Sequence, residues 1–124
     1  MATGTERPVT DSEAAAAFTP RWNDYIPLTP TKKQHDLLIM ERFGVAEVFF
    51  GGSGGGAKSI GLLMASLQYA DCADYSALLV RRDLTMLELP GGLLDVARDW
   101  LRPFTAVGEV KYGSNLHQFR FPRG

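Results

Sequence analysis

Residues 51–56, near the middle of the chain, are five glycines and one serine. Such a stretch does not persist as a helix or a strand, because glycine loses more backbone freedom on ordering than any other residue. The short apolar run before it, residues 45–50, predicts a buried strand. From Lys58 onward, apolar residues return at helical spacing. The sequence therefore predicts a strand, a glycine loop and a helix in succession.

Residues 52–59 predict that this loop binds phosphate. They fit the pattern G-x-x-x-x-G-K-[ST] at every fixed position except one, where Ala57 replaces glycine. In such a loop, consecutive backbone N–H groups turn toward the oxygens of a triphosphate, and the next helix adds the positive end of its dipole. The predicted nucleotide-binding residues of the loop are Gly52, Ser53, Gly54, Gly55, Gly56, Ala57, Lys58 and Ser59.

Two side chains of the motif have predicted roles toward ATP and Mg²⁺. Lys58 is expected to contact the β- and γ-phosphates, and the Ser59 hydroxyl to help hold Mg²⁺. Ala57 is compatible with this chemistry if its φ is negative, near helical values. The alternative is a flexible glycine turn with a coincidental Lys-Ser pair, but the preceding strand and the following helix are the context that the motif requires.

The rest of the chain predicts one α/β domain: an incomplete P-loop NTPase with a parallel βαβ core, followed by a helix and a β-hairpin. Residues 1–24 lack a sustained apolar period and are predicted to be a mobile arm, and residues 25–124 to be the folded part. Thr31 can cap a helix that Gly44 ends, and residues 76–81 predict the second strand of the βαβ unit.

The C-terminal third predicts a broken helix and a hairpin. Residues 84–101 are helical in pattern but interrupted at residues 89–91, and the second piece has an inward stripe of Leu93, Leu94, Ala97 and Leu101. Residues 107–112 and 116–121 predict two strands joined at a turn of residues 113–115.

Composition limits the classes of partner. The net charge is −1, so any contact with a polyanion must be local. The single cysteine, Cys72, fits a reducing compartment, and no apolar run approaches the roughly 20 residues of a membrane span. His35 and His117 have no companion ligands at metal spacing, so no protein-bound zinc or iron is expected. These features predict a soluble, cytoplasmic protein without a membrane partner.

Several segments, in this order, resemble the start of a known family. The segments are residues 25–34 (YIPLTPTKKQ), 47–59, 62–69 (LLMASLQY), 78–82, 91–95 and 117–122. Together they resemble the large terminase subunit of tailed bacteriophages over residues 25–124. That family is the ATP-driven motor that packages viral DNA into the empty capsid, with an N-terminal ATPase and a C-terminal nuclease.

The resemblance implies roles for further residues. It makes Gln34 the adenine contact, residues 52–59 the Walker A loop, and Arg81 and Arg82 a basic pair at a strand end that contacts phosphate or couples hydrolysis to movement. The alternative for the two arginines is a solvated strand exit. Ser53 departs from the family, whose loops often carry arginine there. The implied partners are double-stranded viral DNA, the portal protein and the small terminase subunit, in the host bacterial cytoplasm.

Hydrolysis also needs carboxylates that hold Mg²⁺ and activate water, usually after four apolar residues on another strand. The nearest candidate, residues 78–83, places two arginines before its carboxylate. We therefore expect a chain truncated before this second motif and before the nuclease, which binds ATP without hydrolysing it. Two parallel strands and a hairpin would leave apolar faces open, so we expect marginal stability.

Two other functions remain open from the sequence. One is another P-loop NTPase, either a helicase-type motor or a kinase. The other is a non-catalytic nucleic-acid-binding module, because residues 102–124 hold four cations against Glu109, with aromatic residues between them. The cations are Arg102, Lys111, Arg120 and Arg123, and the aromatic residues are Phe104, Tyr112, Phe119 and Phe121. Strand alternation would bury these aromatic rings in the hairpin core.

Overall fold

The computed structural model describes residues 20–50 and 56–123, except for the side chains of Arg42, Ala57 and Leu84. Its helices are α1 (Lys32–Ile39), a 3₁₀ helix (Met40–Phe43), α2 (Gly56–Leu67), α3 (Leu84–Glu88) and α4 (Leu93–Ala106). Its strands are β1 (Lys111–Gly113) and β2 (Gln118–Arg120). None of the helices in this part of the chain has the length and apolar character that a membrane span needs.

Helix α1 begins and ends where its capping residues place it. Thr31 is the N-cap: its side chain accepts a hydrogen bond from the Gln34 backbone N–H, and the Gln34 side chain accepts one from the Thr31 N–H. This reciprocal pair is a capping box. After the 3₁₀ helix, Gly44 has a left-handed backbone with φ of 72°, which glycine adopts without steric cost. The predicted cap and stop are both present.

Helices α3 and α4 are separated at residues 89–92. Asp83 caps α3 by accepting from the Thr85 N–H, and Gly91 turns the chain with φ of 78°. Gly92 is the N-cap of α4 and lies so close to the end of α3 that a Cβ there would be 2.8 to 2.9 Å from three backbone carbonyl oxygens. The predicted inward stripe of α4 is buried, and Trp100 is buried with it.

The core lies between α2, α4 and the segment that precedes α1. Its buried residues include Leu63, Met64 and Leu67 from α2 and Leu101 from α4. The Tyr25 ring makes edge contacts with Phe104 at 4.7 Å and Phe121 at 4.9 Å between centroids. The three rings join the N-terminal segment, the end of α4 and the residue after β2.

In the described part of the chain, the two segments predicted to form the parallel sheet, residues 45–50 and 76–81, carry no strand. Their apolar side chains are largely exposed: Phe49 by 97%, Leu78 by 86% and Val80 by 76%. Parallel strands are stable where helices cover both faces of a larger sheet, and two segments alone do not provide that cover. The parallel βαβ core therefore stays a prediction.

The hairpin is antiparallel and shorter than predicted. Lys111 pairs with Arg120, Tyr112 with Phe119, and Gly113 with Gln118. The turn occupies residues 114–117 instead of 113–115 and includes His117 at φ of 48°. The strands shorten to three residues because residues 107 and 108 complete the turn that ends α4, and Pro122, which has no backbone N–H, follows Phe121.

Candidate nucleotide-binding site

Helix α2 begins at the last residue of the glycine run, Gly56. The predicted loop residues Gly52, Ser53, Gly54 and Gly55 lie outside the described part of the chain, and the helix starts at Gly56. Lys58 and Ser59 therefore stand in its first turn, and both are half-buried. Ala57 is helical, so its φ is negative, which is the condition that the motif sets for an alanine there.

The first turn of α2 has the electrostatics of an anion site. The first N–H groups of a helix have no partner within the helix, and the dipole adds partial positive charge at the same end. No acidic residue lies in this turn. The Lys58 ammonium adds a full positive charge, so an anionic group placed there would meet attraction without a competing carboxylate from the turn.

Gln34, the predicted adenine contact, packs against the same helix. Its side chain is buried, and a Cβ added at Gly61 would lie 3.1 Å from its Cγ. The same Cβ would lie 3.1 Å from the ring of Phe50, the residue before the glycine run. Gly61 is one helical turn after Lys58. The structure thus joins the start of α1, the end of residues 45–50 and the first two turns of α2.

The Gln34 side chain already has a structural partner. Its Oε1 accepts a hydrogen bond from the Thr31 N–H at 2.9 Å, which completes the capping box. Sequence reasoning recognised Thr31 as a cap but missed this second bond. The spacing T-x-x-Q was the signal that would have revealed it. Contact with a base therefore has to coexist with the cap of α1 or replace part of it.

A network of side-chain hydrogen bonds that the sequence did not predict holds the C-terminal end of α2. The Gln68 amide donates to the Leu38 carbonyl at 3.0 Å and to the Arg21 carbonyl at 3.3 Å, and the Asn23 amide donates to the Leu67 carbonyl at 2.7 Å. Arg21 and Asn23, predicted to belong to the mobile arm, are thereby bonded to the last residue of α2 and the residue after it. The prediction for residues 1–19 lies outside the described residues.

An ion pair reinforces this anchor. Arg21 Nη2 donates to the Asp71 carboxylate at 2.7 Å. Burial acts to raise the pKa of Asp71, but the hydrogen bond and the charge of Arg21 outweigh it and hold the pKa below its usual value. The Arg21 guanidinium also donates to the Cys72 sulfur at 3.0 Å and lies over the Tyr69 ring. Helix α2 is thus fixed at the end opposite to the glycine run.

Arg81 and Arg82 lie away from secondary structure, directly before the cap of α3. Both side chains are exposed, and Arg81 Nη2 lies 4.0 Å from the Met86 sulfur. This exposure matches the alternative of a solvated segment as well as it matches a phosphate contact. Their predicted role at the nucleotide stays a prediction.

No group of three or more His, Cys, Asp or Glu side chains in residues 20–50 and 56–123 has metal-binding geometry. Ser59 stays the predicted Mg²⁺ contact, through the nucleotide.

A separate open cavity of about 420 Å³ lies beside the N-terminus of α1, and its lining residues include Trp22, Pro27 and His35 but neither Gln34 nor Lys58.

Comparison with known proteins gave no match to a family model, a curated protein or a solved structure.

Proposed function

We propose that residues 25–124 are the ATP-binding portion of a phage DNA-packaging motor, the ATPase part of a large terminase subunit. In this proposal the 124 residues bind ATP with Mg²⁺ and do not hydrolyse it. One observation carries the proposal: α2 starts at Gly56, the last residue of the glycine run, so that Lys58 and Ser59 stand in its first turn. The family assignment rests on the order of segments in the sequence.

The triphosphate is bound at the N-terminus of α2. The loop amides and the first N–H groups of the helix donate to phosphate oxygens, and Lys58 neutralises the β- and γ-phosphates. Ser59 completes the Mg²⁺ coordination through its hydroxyl. The absence of acidic residues from this turn supports the proposal, since a carboxylate there would repel the phosphates.

The adenine base is bound near Gln34. The Gln34 side chain is buried against Gly61, one helical turn after Lys58. This position supports the base contact, because a nucleotide spans the distance between a base contact and a phosphate loop on adjoining elements. An amide side chain offers both a donor and an acceptor to the adenine edge. By the same resemblance, the partners of the motor are viral double-stranded DNA, the portal protein and the small terminase subunit.

The test is the binding of Mg²⁺–ATP to Lys58→Ala, measured by titration calorimetry. We expect the Kd to rise at least about tenfold, because a charge-assisted contact contributes about 1.5–3 kcal/mol. Lys33→Ala, which removes an exposed lysine from α1, is the matched control and should bind ATP as the unaltered chain does. Equal ATP affinity in a folded Lys58→Ala variant would contradict the proposal.

A further inference from the structure

Gly61 lies in the interior of α2, where glycine is a poor helix former. Its surroundings show what a residue without a side chain provides there. A Cβ at this position would lie 3.1 Å from Gln34 Cγ and 3.1 Å from Phe50 Cε2. Carbon atoms pack best at about 3.5–4.0 Å, so these contacts would be too close. The absence of a Cβ therefore lets both side chains approach the helix at one point.

The two side chains at Gly61 come from both parts of the proposed nucleotide site. Gln34 is the proposed base contact, and it is buried. Phe50 is the residue before the glycine run, and its ring lies against α2, whereas the adjacent Phe49 is 97% exposed. Lys58 lies one helical turn before Gly61. The packing of the Phe50 ring therefore fixes where the chain enters the glycine run relative to the helix that carries Lys58.

A hydrogen bond at the other end of α2 makes this spacing sensitive to Gly61. The Gln68 amide donates to the Leu38 carbonyl at 3.0 Å, and Leu38 is one helical turn after Gln34. The C-terminal half of α1 is therefore bonded to the residue after α2, and its N-terminal half rests on Gly61. A side chain at Gly61 would push the N-terminal half of α1 away, while the hydrogen bond holds the other half in place.

We propose that Gly61 is a positioning residue of the nucleotide site, which sets the distance between the base contact and the start of the phosphate loop. This inference rests on the proposed function, because it assigns Gln34 to the base and the glycine run to the phosphates. Gly61 has no side chain to contact a nucleotide; it acts through Gln34 on the base and through Phe50 on the loop. Base and phosphates belong to one covalent frame, so displacement of either partner by a few tenths of an ångström weakens binding.

The test is the affinity of Gly61→Ala for two probes, Mg²⁺–ATP and Mg²⁺–tripolyphosphate, which lacks the base, measured by titration calorimetry. The added Cβ meets both Gln34 and Phe50, so the Kd for each probe should rise about two- to tenfold, the contribution of one hydrogen bond. The ratio of ATP to GTP affinity should fall as well, since Gln34 is displaced. Leu62→Ala, which shortens an exposed side chain at the next position of α2, is the matched control and should leave all three values unchanged.

A substitution of Phe50 separates positioning from a general loss of packing. Leucine lacks the ring-edge atoms Cε2 and Cζ, which would lie 3.1 and 3.5 Å from the added Cβ. Phe50→Leu alone should raise the Kd for tripolyphosphate, because it empties the space beside Gly61. In the double variant Gly61→Ala/Phe50→Leu, the added methyl group fills this space, so the tripolyphosphate affinity should recover. The ATP-to-GTP ratio should stay low, because the contact with Gln34 remains.

A merely structural role for Gly61 predicts the opposite order, in which the double variant binds less tightly than either single variant. Circular dichroism would verify that each variant is folded at the temperature of the titration. Alanine is the better helix former, which favours folding of Gly61→Ala. Phe50→Leu tests the same contact with Gly61 unaltered, so the inference stays open to refutation if Gly61→Ala does not fold.

Three results would overturn this inference and leave the proposed function intact. They are Kd values in Gly61→Ala equal to those of the unaltered chain, an unchanged tripolyphosphate Kd in Phe50→Leu, and a double variant that binds tripolyphosphate no better than Gly61→Ala does. Failure of the proposed function gives a different result, since the unaltered chain itself would then bind neither probe, and this inference would fall with it.

Discussion

The capping box of α1 gives a prediction that separates the structural role of Gln34 from its proposed role at the base. Thr31→Ala removes only the acceptor of the Gln34 N–H, a long bond of 3.4 Å, and leaves the Gln34 amide intact. Gln34→Ala removes the 2.9 Å bond to the Thr31 N–H and a buried side chain packed on Gly61. Both variants weaken the same helix start, but only one removes the proposed base contact.

The stability cost follows from these bonds. Thr31→Ala should lower the free energy of unfolding by about 0.5–1 kcal/mol, at the low end of measured N-cap effects, because its bond is long. Gln34→Ala should cost about 1–3 kcal/mol, since it also leaves the Thr31 N–H without its acceptor and a cavity in a buried contact. Because the two side chains form one motif, the double variant should cost less than the sum. Urea denaturation followed by circular dichroism measures all three values.

Nucleotide preference then distinguishes the two roles. ATP and GTP would compete against a fluorescent ATP analogue under conditions in which every variant is folded. Thr31→Ala should keep the ratio of ATP to GTP affinity, whereas Gln34→Ala should reduce it about two- to tenfold, the contribution of one hydrogen bond. Equal changes in the two variants would show that Gln34 acts only through the helix, and an unchanged ratio in Gln34→Ala would refute the base contact.

Two further predictions concern the fold around the site. Gly92→Ala should lower the free energy of unfolding by about 3 kcal/mol, because its Cβ would meet carbonyl oxygens that cannot move separately from α3. Gly91→Ala, which lies in open space but at positive φ, should lower it by about 1–2 kcal/mol. A larger loss of stability in Gly91→Ala than in Gly92→Ala, measured by urea denaturation, would contradict the packing of Gly92. The Arg21–Asp71 ion pair should stabilise the chain at pH values above the ordinary carboxyl pKa and lose this effect as the pH falls through the lowered pKa of Asp71. Between pH 7 and pH 3, the melting temperature should therefore fall less steeply for Asp71→Asn than for the unaltered chain. Parallel curves of melting temperature against pH would refute the link between this ion pair and stability.

Local signals of the sequence predicted the helices well. Thr31, Gly44 and the Leu-Pro-Gly interruption mark helix ends by backbone chemistry that acts within a few residues, and the structure has helix boundaries at each. The inward stripe of α4 was predictable for the same reason, since helical spacing needs only the residues of the helix itself.

Contacts between distant residues could not be predicted in this way. The Gln68 bonds to Leu38 and Arg21 join residues 30 and 47 positions apart, and no local pattern marks a glutamine as buried. The predicted pairing of residues 45–50 with 76–81 would likewise be a long-range contact. Their apolar composition predicted strands, but strands need partners along the sheet, and the described residues provide none there. The candidate site shows the same difference between local signals and distant contacts. The motif predicted where α2 begins, but only the structure placed Gln34 against Gly61.

The most direct measurement of the central claim is the ¹⁵N–¹H spectrum of the chain during titration with Mg²⁺–ATP. If main-chain N–H groups surround the triphosphate, the amide signals of residues 52–59 should shift most, with the proton resonances moving downfield as they donate to phosphate. AMP, which lacks the β- and γ-phosphates, should produce much smaller shifts at these residues. Equal shifts with AMP and ATP, or shifts confined to other residues, would contradict the proposed nucleotide site.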